Sequence, residues 1–261
     1  MNPDLIRQYL SFYEDLGIKT LYRREVELPP QAPASEILEP MAPKMQDPPP
    51  DPPEAPARAA PDGGLPSLAP EGDTMARIRE ELGDCTRCRL HEKRNQLVFG
   101  DGNEETKLVF VGEGPGADED AQGIPFVGRA GQLLTQMIEN TAQREGIPLL
   151  RKDVYICNVV KCRPPENRTP QPDEMETCGQ FLFRQLMVIQ PKAIVALGGT
   201  AAKALLSTRE GVTRMRGNWR RWHDIPVMVT YHPSYLLRPY NKDAKRQAWE
   251  DLKKVLHYVY D

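Results

Sequence analysis

The fold is decided by residues 108–134, which read LVFVGEGPGADEDAQGIPFVGRAGQLL. An apolar run ends at Gly112 and is followed by carboxylates and one aromatic residue, spaced by glycines and prolines. An amphipathic pattern resumes near Arg129, so the stretch predicts a strand, a loop and a helix. An open α/β sheet binds its ligand outside the carboxyl ends of its strands. We therefore expect the functional site to include this loop.

Apolar runs and helical patterns alternate along the remainder of the chain. The predicted strands cover residues 108–111, 154–160, 193–197 and 227–231, and the predicted helices cover residues 75–82, 130–144, 173–189, 200–206 and 243–258. Thr74 and Gly83 suit the cap and the stop of the first helix. Strands without polar alternation, separated by helices, favour a parallel sheet covered on both faces. We predict a three-layer α/β/α fold around a central, mostly parallel four-stranded sheet.

Composition divides the chain into three segments. Residues 1–28 carry apolar positions at helical spacing and predict a short amphipathic helical segment. Residues 29–72 hold more than half of the 26 prolines, so we expect a disordered, proline-rich linker. Residues 73–261 are expected to form the folded domain. The first segment is either a docking element for a protein partner or a piece that packs on that domain.

Charge and hydropathy exclude few classes of partner. The formal net charge is −3, but basic residues are dense from Arg144 onward, which suits either an ordinary solvated surface or a face that binds a polyanion. The N-terminus carries no export signal, and no run approaches the roughly 20 apolar residues of a membrane span. We expect a cytoplasmic protein that is a monomer.

Four of the five cysteines form a candidate metal site. Cys85 and Cys88 are separated by two residues, whereas Cys162 and Cys178 lie far downstream with fifteen residues between them. Four thiolates suit tetrahedral zinc or an iron-sulfur cluster, and the spacing leaves both open, beside the alternative of buried structural cysteines. Basic residues that suit anionic thiolates flank the pairs: Arg87, Arg89, Lys161 and Arg163. Cys157 lies in an apolar run and is interpreted as a core residue.

Several motifs follow one another in a fixed order along the folded domain. They are GEGPG at 112–116, Glu119 with Asp120, PFVG at 125–128, NVVKCRPP at 158–165 with Asn167 and Arg168, Cys178, HPS at 232–234, and Leu237 with Arg238. Together these motifs resemble the family 4 uracil-DNA glycosylases, the iron-sulfur members of the uracil glycosylase superfamily. The resemblance covers residues 74–259, so residues 73–261 are expected to be a uracil-DNA glycosylase-like catalytic domain.

The resemblance implies both a cofactor and an activity. The cofactor is a structural 4Fe-4S cluster on four cysteines, Cys85, Cys88, Cys162 and Cys178. The activity is hydrolysis of the N-glycosidic bond of uracil in single- or double-stranded DNA, which leaves an abasic site. The alternative function is a non-catalytic iron-sulfur module that binds nucleic acid and is attached to a replication or repair partner. A Rossmann-type nucleotide site is disfavoured because the glycine-rich turn at 112–116 contains a proline and no clean GxGxxG motif.

Three side chains are predicted to hold the base. An enzyme that acts on a base inside DNA must extrude it into a pocket that stacks the ring and reads its edge. Phe126 is the expected stacking platform, with a core phenylalanine as the alternative. Asn158, at the end of an apolar strand, matches O4 and N3–H of uracil with its amide, or else closes a turn. His232, also at a strand end, is expected to donate to uracil O2 as the glycosidic bond breaks.

The loop after the first strand supplies the other predicted pocket residues. Glu113 is expected to orient water or to stabilise positive charge on the sugar. Gly114 stands where another branch of the superfamily has an aspartate. Main-chain amides are expected to bind uracil O2 or a phosphate at Gly114, Pro115 and Gly116. The resemblance implies that Glu119 excludes the 5-methyl group of thymine.

Two further loops are predicted to contact DNA. One follows the third cysteine and the other follows His232, where the superfamily inserts an apolar side chain into the gap left by the flipped base. The DNA-binding residues expected in these loops are Arg163, Asn167, Arg168, Ser234, Leu237 and Arg238. The cluster would then be a structural pin for a DNA-binding loop.

Overall fold

The computed structural model describes residues 70–238 and 241–261. The predicted helical segment 1–28 and nearly all of the predicted linker 29–72 lie outside these residues. The first described helix, α1, covers Met75–Leu82. Thr74 Oγ1 accepts the N–H of Arg77 as its cap, and Gly83 ends it, as the sequence predicted.

One six-stranded sheet forms the centre of the fold. Its strands are β1 (Asp101–Gly102), β2 (Leu108–Gly112), β3 (Tyr155–Asn158), β4 (Ala193–Leu197), β5 (Trp219–Trp222) and β6 (Ile225–Thr230). They lie in the order β1-β3-β2-β4-β6-β5. The pairs β3/β2, β2/β4 and β4/β6 are parallel, which confirms the predicted four-stranded parallel sheet. The edge strands β1 and β5 run antiparallel to their neighbours and lie outside the four predicted strands.

The helices flank this sheet. After α1, the described ranges contain α2 (Ala117–Gln122), α3 (Arg129–Arg144), α4 (Pro172–Ile189), α5 (Gly199–Leu206), α6 (Val212–Met215), α7 (Pro233–Leu236) and α8 (Lys242–Tyr260). The short helix α2 lies inside the stretch that was expected to be an open loop. Its first turn carries acidic residues, which stabilise a helix N-terminus, and Gly123 ends it in a left-handed conformation. None of the described helices is long and apolar enough to cross a membrane.

Alternation along β2 shows how the layers form. Val109 and Val111 pack into a core shared with α1, α4 and α5. Leu108 and Phe110 point to the other face and pack with α3 and α8. Because successive strand residues face opposite sides, the sheet is buried between two helical layers. This arrangement confirms the predicted three-layer α/β/α fold.

The four parallel strands end at one edge of the sheet. Gly112, the last residue of β2, pairs with Asn158, the last residue of β3. Leu197 of β4 pairs with Thr230 of β6 in the same way. The segments that leave these strands therefore start side by side, which brings residues far apart in sequence to one place.

Candidate active site

A pocket of about 340 Å³ opens at this carboxyl edge. Most of the predicted site residues line it: Glu113, Gly114, Pro115, Gly116, Glu119, Phe126, Asn158, Asn167, Arg168, His232 and Ser234. Four lining residues were missed by the sequence prediction: Ala130, Leu197, Gly198 and Gly199. Three predicted DNA-binding residues are not part of the lining: Arg163, Leu237 and Arg238.

Asn158 presents an unpaired polar atom to the pocket. The residue is only 1 % exposed, and its Oδ1 has no hydrogen-bond partner within the described part of the chain. Leaving a buried acceptor unpaired is costly, so this oxygen requires a partner, which a bound ligand or an ordered water supplies. A Cβ atom at Gly112 would collide with this oxygen and would lie 2.6 Å from the Phe126 ring. Glycine at 112 therefore lets the amide and the ring approach each other.

Phe126 forms a flat wall of the pocket. Its backbone has a φ of 54°, an uncommon value for a bulky residue, and its side chain is 7 % exposed. The ring lies 5.7 Å from the His232 ring, measured between centroids, with an interplanar angle of 36°. A backbone held in a sparsely populated conformation at a pocket is a mark of a functional position. The two rings together suit a planar ligand.

His232 is held as a neutral imidazole with its proton on Nε2. The main-chain N–H of Ser234 donates to His232 Nδ1 at 3.2 Å, and the Ser234 hydroxyl lies 2.8 Å from the same nitrogen. Because an N–H donates to Nδ1, that nitrogen is the acceptor, and a neutral ring must carry its proton on Nε2. Burial lowers the pKa of His232 to about 4, and the nearby Glu119 only partly opposes this shift. The ring is therefore a neutral donor at physiological pH.

A side chain at position 114 would meet the side chain of Val160. A Cβ atom there would lie 2.7 Å from Val160 Cγ2, so a larger residue would require the Val160 side chain to shift. The aspartate found at this place in another superfamily branch cannot be accommodated without such a shift. Glu113 is half-buried in the pocket wall and is the carboxylate that this part of the loop retains.

Glu119 braces the loop in addition to lining the pocket. Its carboxylate accepts the main-chain N–H of Gly116 at 3.0 Å, and of Val127 and Gly128 at 2.9 Å each. The N–H of Gly116 is thereby occupied, and Pro115 has none. Of the main-chain amides expected to bind at 114–116, the N–H of Gly114 is the one with no described hydrogen bond, and the binding itself stays a prediction. The predicted role of Glu119 against thymine stays a prediction.

Arg168 reaches the pocket edge but is fixed from behind. Its two terminal nitrogens donate to the carboxylate of Glu174 at 2.9 and 2.6 Å. The Glu174 side chain is fully shielded from solvent, and it also accepts the N–H of Gln171 at 2.7 Å. In the same loop, Arg163 Nε donates to Asn167 Oδ1 at 2.8 Å. The loop after the third cysteine is therefore ordered by its own hydrogen bonds.

The loop after His232 exposes an aromatic residue that the sequence prediction missed. Leu236 is buried, and Leu237 packs partly against the core. Tyr235 is 40 % exposed, stacks on Tyr231 at 5.3 Å, and has the Arg238 guanidinium 5.7 Å from its ring centroid. An aromatic residue beside the HPS motif was the available signal. The predicted contact of Leu237 with DNA stays a prediction.

The four candidate cysteine ligands are free thiols in or against the core. Cys85 accepts a hydrogen bond from Arg87 at 3.4 Å. Cys162 accepts one from Arg94 at 3.3 Å, and Cys178 accepts the main-chain N–H of residue 161 at 3.2 Å. Arg94 was missed because it lies 68 positions from Cys162 in sequence. These donors suit thiolates, which are the form of cysteine that binds metals.

Burial disfavours the charged thiolate form of these cysteines. Burial raises the pKa of Cys88, Cys162 and Cys178, the last to about 12, and neighbouring thiols add to the shift. Across residues 70–238 and 241–261, no three His, Cys, Asp or Glu side chains converge on one ion position. Cys157 is buried in β3, as expected for a core residue.

A buried lysine connects the cysteines to the pocket. The Lys161 side chain is fully enclosed, and its Nζ donates to the Asn158 main-chain oxygen at 2.8 Å and to Gln185 Oε1 at 2.6 Å. The same residue donates its main-chain N–H to Cys178. The end of β3, which carries Asn158, is therefore tied directly to the cysteine region.

Comparison with known proteins identifies the family of this chain. The family model of the uracil DNA glycosylase superfamily matches residues 99–253. The type-4 uracil-DNA glycosylase of Thermotoga maritima is 46 % identical over 189 residues, covering 72 % of this chain and 95 % of that protein. The type-4 uracil-DNA glycosylase of Sulfurisphaera tokodaii is 42 % identical over 191 residues, covering 70 % and 84 %. That of Archaeoglobus fulgidus is 41 % identical over 191 residues, covering 70 % and 92 %.

Fold and sequence similarity agree on the class of protein. The chain belongs to the uracil DNA glycosylase superfamily and, within it, to the type-4 uracil-DNA glycosylases. The resemblance drawn from the ordered motifs is thereby confirmed. The matched residues 99–253 contain every pocket-lining residue, whereas Cys85 and Cys88 lie before the start of the family model.

Proposed function

We propose that this chain is a DNA repair enzyme that flips uracil out of DNA and hydrolyses its N-glycosidic bond, leaving an abasic site. The observation that carries the proposal is the buried, unpaired Oδ1 of Asn158 beside Phe126 and His232 in one pocket. Relatives that share most of this chain are named as uracil-DNA glycosylases. The alternative of a non-catalytic nucleic-acid-binding module is therefore not favoured.

Base selection follows from hydrogen-bond pairing in this pocket. The Asn158 amide offers an acceptor for uracil N3–H and a donor for uracil O4. Cytosine presents the opposite pattern at those atoms and would leave buried polar groups unpaired, which is a strong source of selectivity. Phe126 supplies the stacking surface, and Glu119, rigidly held by three N–H donors, supplies the wall expected to exclude a 5-methyl group.

The chemistry needs a stabilised leaving group and a directed water. As the bond between the sugar and uracil N1 breaks, negative charge develops on uracil O2. The neutral His232 can donate its Nε2 proton in a hydrogen bond to that oxygen, and the N–H of Gly114 is a second donor. Glu113 orients the attacking water and takes its proton. We assign the catalytic roles to Glu113, Gly114 and His232.

DNA is the proposed partner, in single- or double-stranded form. Arg163, Asn167, Arg168, Ser234, Leu237 and Arg238 surround or flank the pocket and are proposed to contact the backbone and the gap left by the base. A substrate of this kind supports a cytoplasmic location and gives no reason for more than one copy of the chain. Residues 73–261 are proposed to be the catalytic domain, and segment 1–28 to be either a docking element for a protein partner or a piece that packs on that domain.

Cys85, Cys88, Cys162 and Cys178 are proposed to hold a structural 4Fe-4S cluster. The fit is supported by the donor set: free thiols near one another, with arginine and main-chain N–H donors on three sulfurs. Four cysteine thiolates are the usual ligand set of such a cluster. When bound, it supplies cross-linking of α4 to the segments around the other cysteines.

An oligonucleotide assay tests the proposed function. A labelled strand with one uracil, alone or in a duplex, is incubated with the protein and then treated with hot alkali, which cleaves abasic sites. We expect scission at the uracil position only. The same strand with thymine at that position is the control. Intact uracil strands in both forms would rule out the glycosylase function.

A further inference from the structure

Glu113 is held in the pocket by a residue from a different strand end. The hydroxyl of Thr200 donates a hydrogen bond to Glu113 Oε2. Thr200 is the second residue of α5, directly after the pocket-lining Gly198 and Gly199, and it is 9 % exposed. Glu113 follows β2, and Thr200 follows β4, the strand that pairs with β2. The contact thus bridges two adjacent strand ends across the pocket wall.

This contact restricts what the Glu113 carboxylate can do. A glutamate has three side-chain torsions, so an unrestrained carboxylate samples many orientations and loses the advantage of positioning. A hydroxyl that donates to Oε2 removes much of that freedom. No described hydrogen bond to Oε1 competes with it, so Oε1 is available as an acceptor toward the pocket. A single donor therefore sets both the direction of the carboxylate and which oxygen is free.

We propose that Thr200 is a positioning residue for the hydrolytic step, and this inference rests on the proposed function. It holds Glu113 so that Oε1 accepts a proton of the attacking water. In that step the water oxygen forms a bond to the sugar C1′, and the bond from C1′ to uracil N1 breaks. The bonding electron pair leaves with the uracil anion, next to His232, and the water proton passes to Glu113.

An isosteric pair of variants isolates the hydroxyl. Thr200→Val removes the donor and keeps the shape, whereas Thr200→Ser keeps the donor. We expect the single-turnover rate of uracil excision to fall about tenfold to a hundredfold in Thr200→Val, and to stay within about threefold of wild type in Thr200→Ser. The dissociation constant for the same uracil oligonucleotide carrying a non-hydrolysable 2′-fluoro sugar should change less than about twofold. Thermal unfolding of each variant shows whether the fold is retained.

A double-mutant cycle with Glu113→Gln provides the decisive comparison. If Thr200 acts through Glu113, adding Thr200→Val to Glu113→Gln lowers the rate further by less than about twofold. Fully additive losses, equal losses in Thr200→Val and Thr200→Ser, or a wild-type rate in Thr200→Val would overturn the inference while leaving the glycosylase function intact. Inactive wild-type protein would overturn both. Should Thr200→Val not fold, Thr200→Ala is measured in its place against the same limits.

Discussion

Residues 158–162 begin in the pocket, at Asn158, and end at Cys162 in the cysteine region, which comprises the four candidate ligands and their donors. The polar groups of the two regions are arranged in opposite ways. In the pocket, the Oδ1 of Asn158 is buried without a partner among the described residues. The Nδ1 of His232 accepts the Ser234 N–H, so its Nε2–H is the ring's donor toward a ligand. In the cysteine region, N–H donors reach Cys85, Cys162 and Cys178. The contrast indicates that the pocket is arranged to bind a ligand, whereas the cysteine region is arranged to hold neighbouring segments together. We call the cysteine region the frame.

The two regions are joined by a few well-defined contacts. Lys161 donates to the main chain of Asn158 with its ammonium and to Cys178 with its N–H. On α4, Glu174 holds Arg168 at the pocket edge, and Cys178 follows one turn later. Substitutions in the pocket should therefore change the reaction without changing the frame, whereas substitutions in the frame should change stability first.

The largest effect is expected from removing the neutral imidazole. His232→Ala should lower the single-turnover rate of uracil excision by about 10²- to 10³-fold, the loss measured for single donors to a developing anion. Its unfolding midpoint should stay close to that of wild type. His223→Ala, an exposed histidine outside the pocket, is the matched control and should keep the wild-type rate. Equal rates in both variants would contradict the assigned role.

The pH profile of the wild-type rate checks the protonation state of the same residue. Because burial lowers the pKa of His232 to about 4, the imidazole stays neutral as the pH falls through 6.5. The rate should show no loss attributable to this group until the pH approaches that lowered pKa. A loss with its midpoint near 6.5 that is absent from His232→Ala would show a histidine with an ordinary pKa. The folded state should lose stability as the pH falls from 6.5 to about 4, since the unfolded chain binds the proton more readily there.

Substitution of Cys178 is expected to lower the excision rate less than His232→Ala does and to lower the stability of the frame more. Cys178→Ser should lower or abolish the visible absorbance of the purified protein and reduce the unfolding midpoint by about 5–10 °C. Cys157→Ala is the matched control, because Cys157 is also buried but is assigned to the core, and it should keep the colour. Iron and sulfide analysis measures the same difference. Colourless, zinc-loaded wild-type protein would contradict the assignment.

A moderate effect is expected where the two regions meet. Glu174→Gln breaks a shielded carboxylate–arginine pair, and we expect a loss of about 1–3 kcal/mol in stability, since the arginine partner is partly exposed. The freed Arg168 should also weaken binding of uracil DNA. Asp173→Asn removes the neighbouring exposed ion pair with Arg89 and should change both quantities little. Indistinguishable denaturation curves for the two variants would show that Glu174 does not join the regions.

The smallest effect is expected outside both regions, at the C-terminus. Hydrogen bonds from His257 to Glu145 and Asp261 raise the pKa of its imidazole. A raised pKa stabilises the folded state below the ordinary histidine pKa, and this contribution is lost as the pH rises through the raised value. His257→Gln should therefore lower the unfolding midpoint slightly, by less than about 2 °C, at pH 5.5 and not at pH 9. A larger drop of the unfolding midpoint at pH 9 than at pH 5.5 would contradict the raised pKa of His257.

The sequence was a good guide where one pattern dominates. Apolar runs such as that ending at Gly112 predicted all four parallel strands, because such strands are buried on both faces. The edge strand Trp219–Trp222 was missed because three of its four residues are exposed and two are arginines. Similarly, α2 is too short and too acidic to show a helical pattern of apolar residues. Edges and short helices depend on tertiary contacts more than on local pattern.

The site followed the same division. Asn158, in the predicted strand 154–160, and His232, directly after the predicted strand 227–231, were expected at the site from their places at strand ends and from the family motifs, and both line the pocket. Thr200 was missed because its relevance comes from one contact with Glu113, 87 positions away. The bracing by Glu119 was missed for a related reason, since its acceptors are used by N–H groups of a loop whose path the sequence does not reveal. Which groups pair with one another in the pocket could be learned only from the structure.

The most direct test concerns the atom on which the account depends, Asn158 Oδ1. Single-turnover release of free base is measured for wild type and Asn158→Asp on matched oligonucleotides with uracil or cytosine at one position. We predict that wild type releases uracil alone. The variant should either lose activity or lower its preference for uracil over cytosine by at least about tenfold, because its acceptor pattern no longer matches one base. Unchanged rate and unchanged preference would remove Asn158 from base recognition and contradict the central claim.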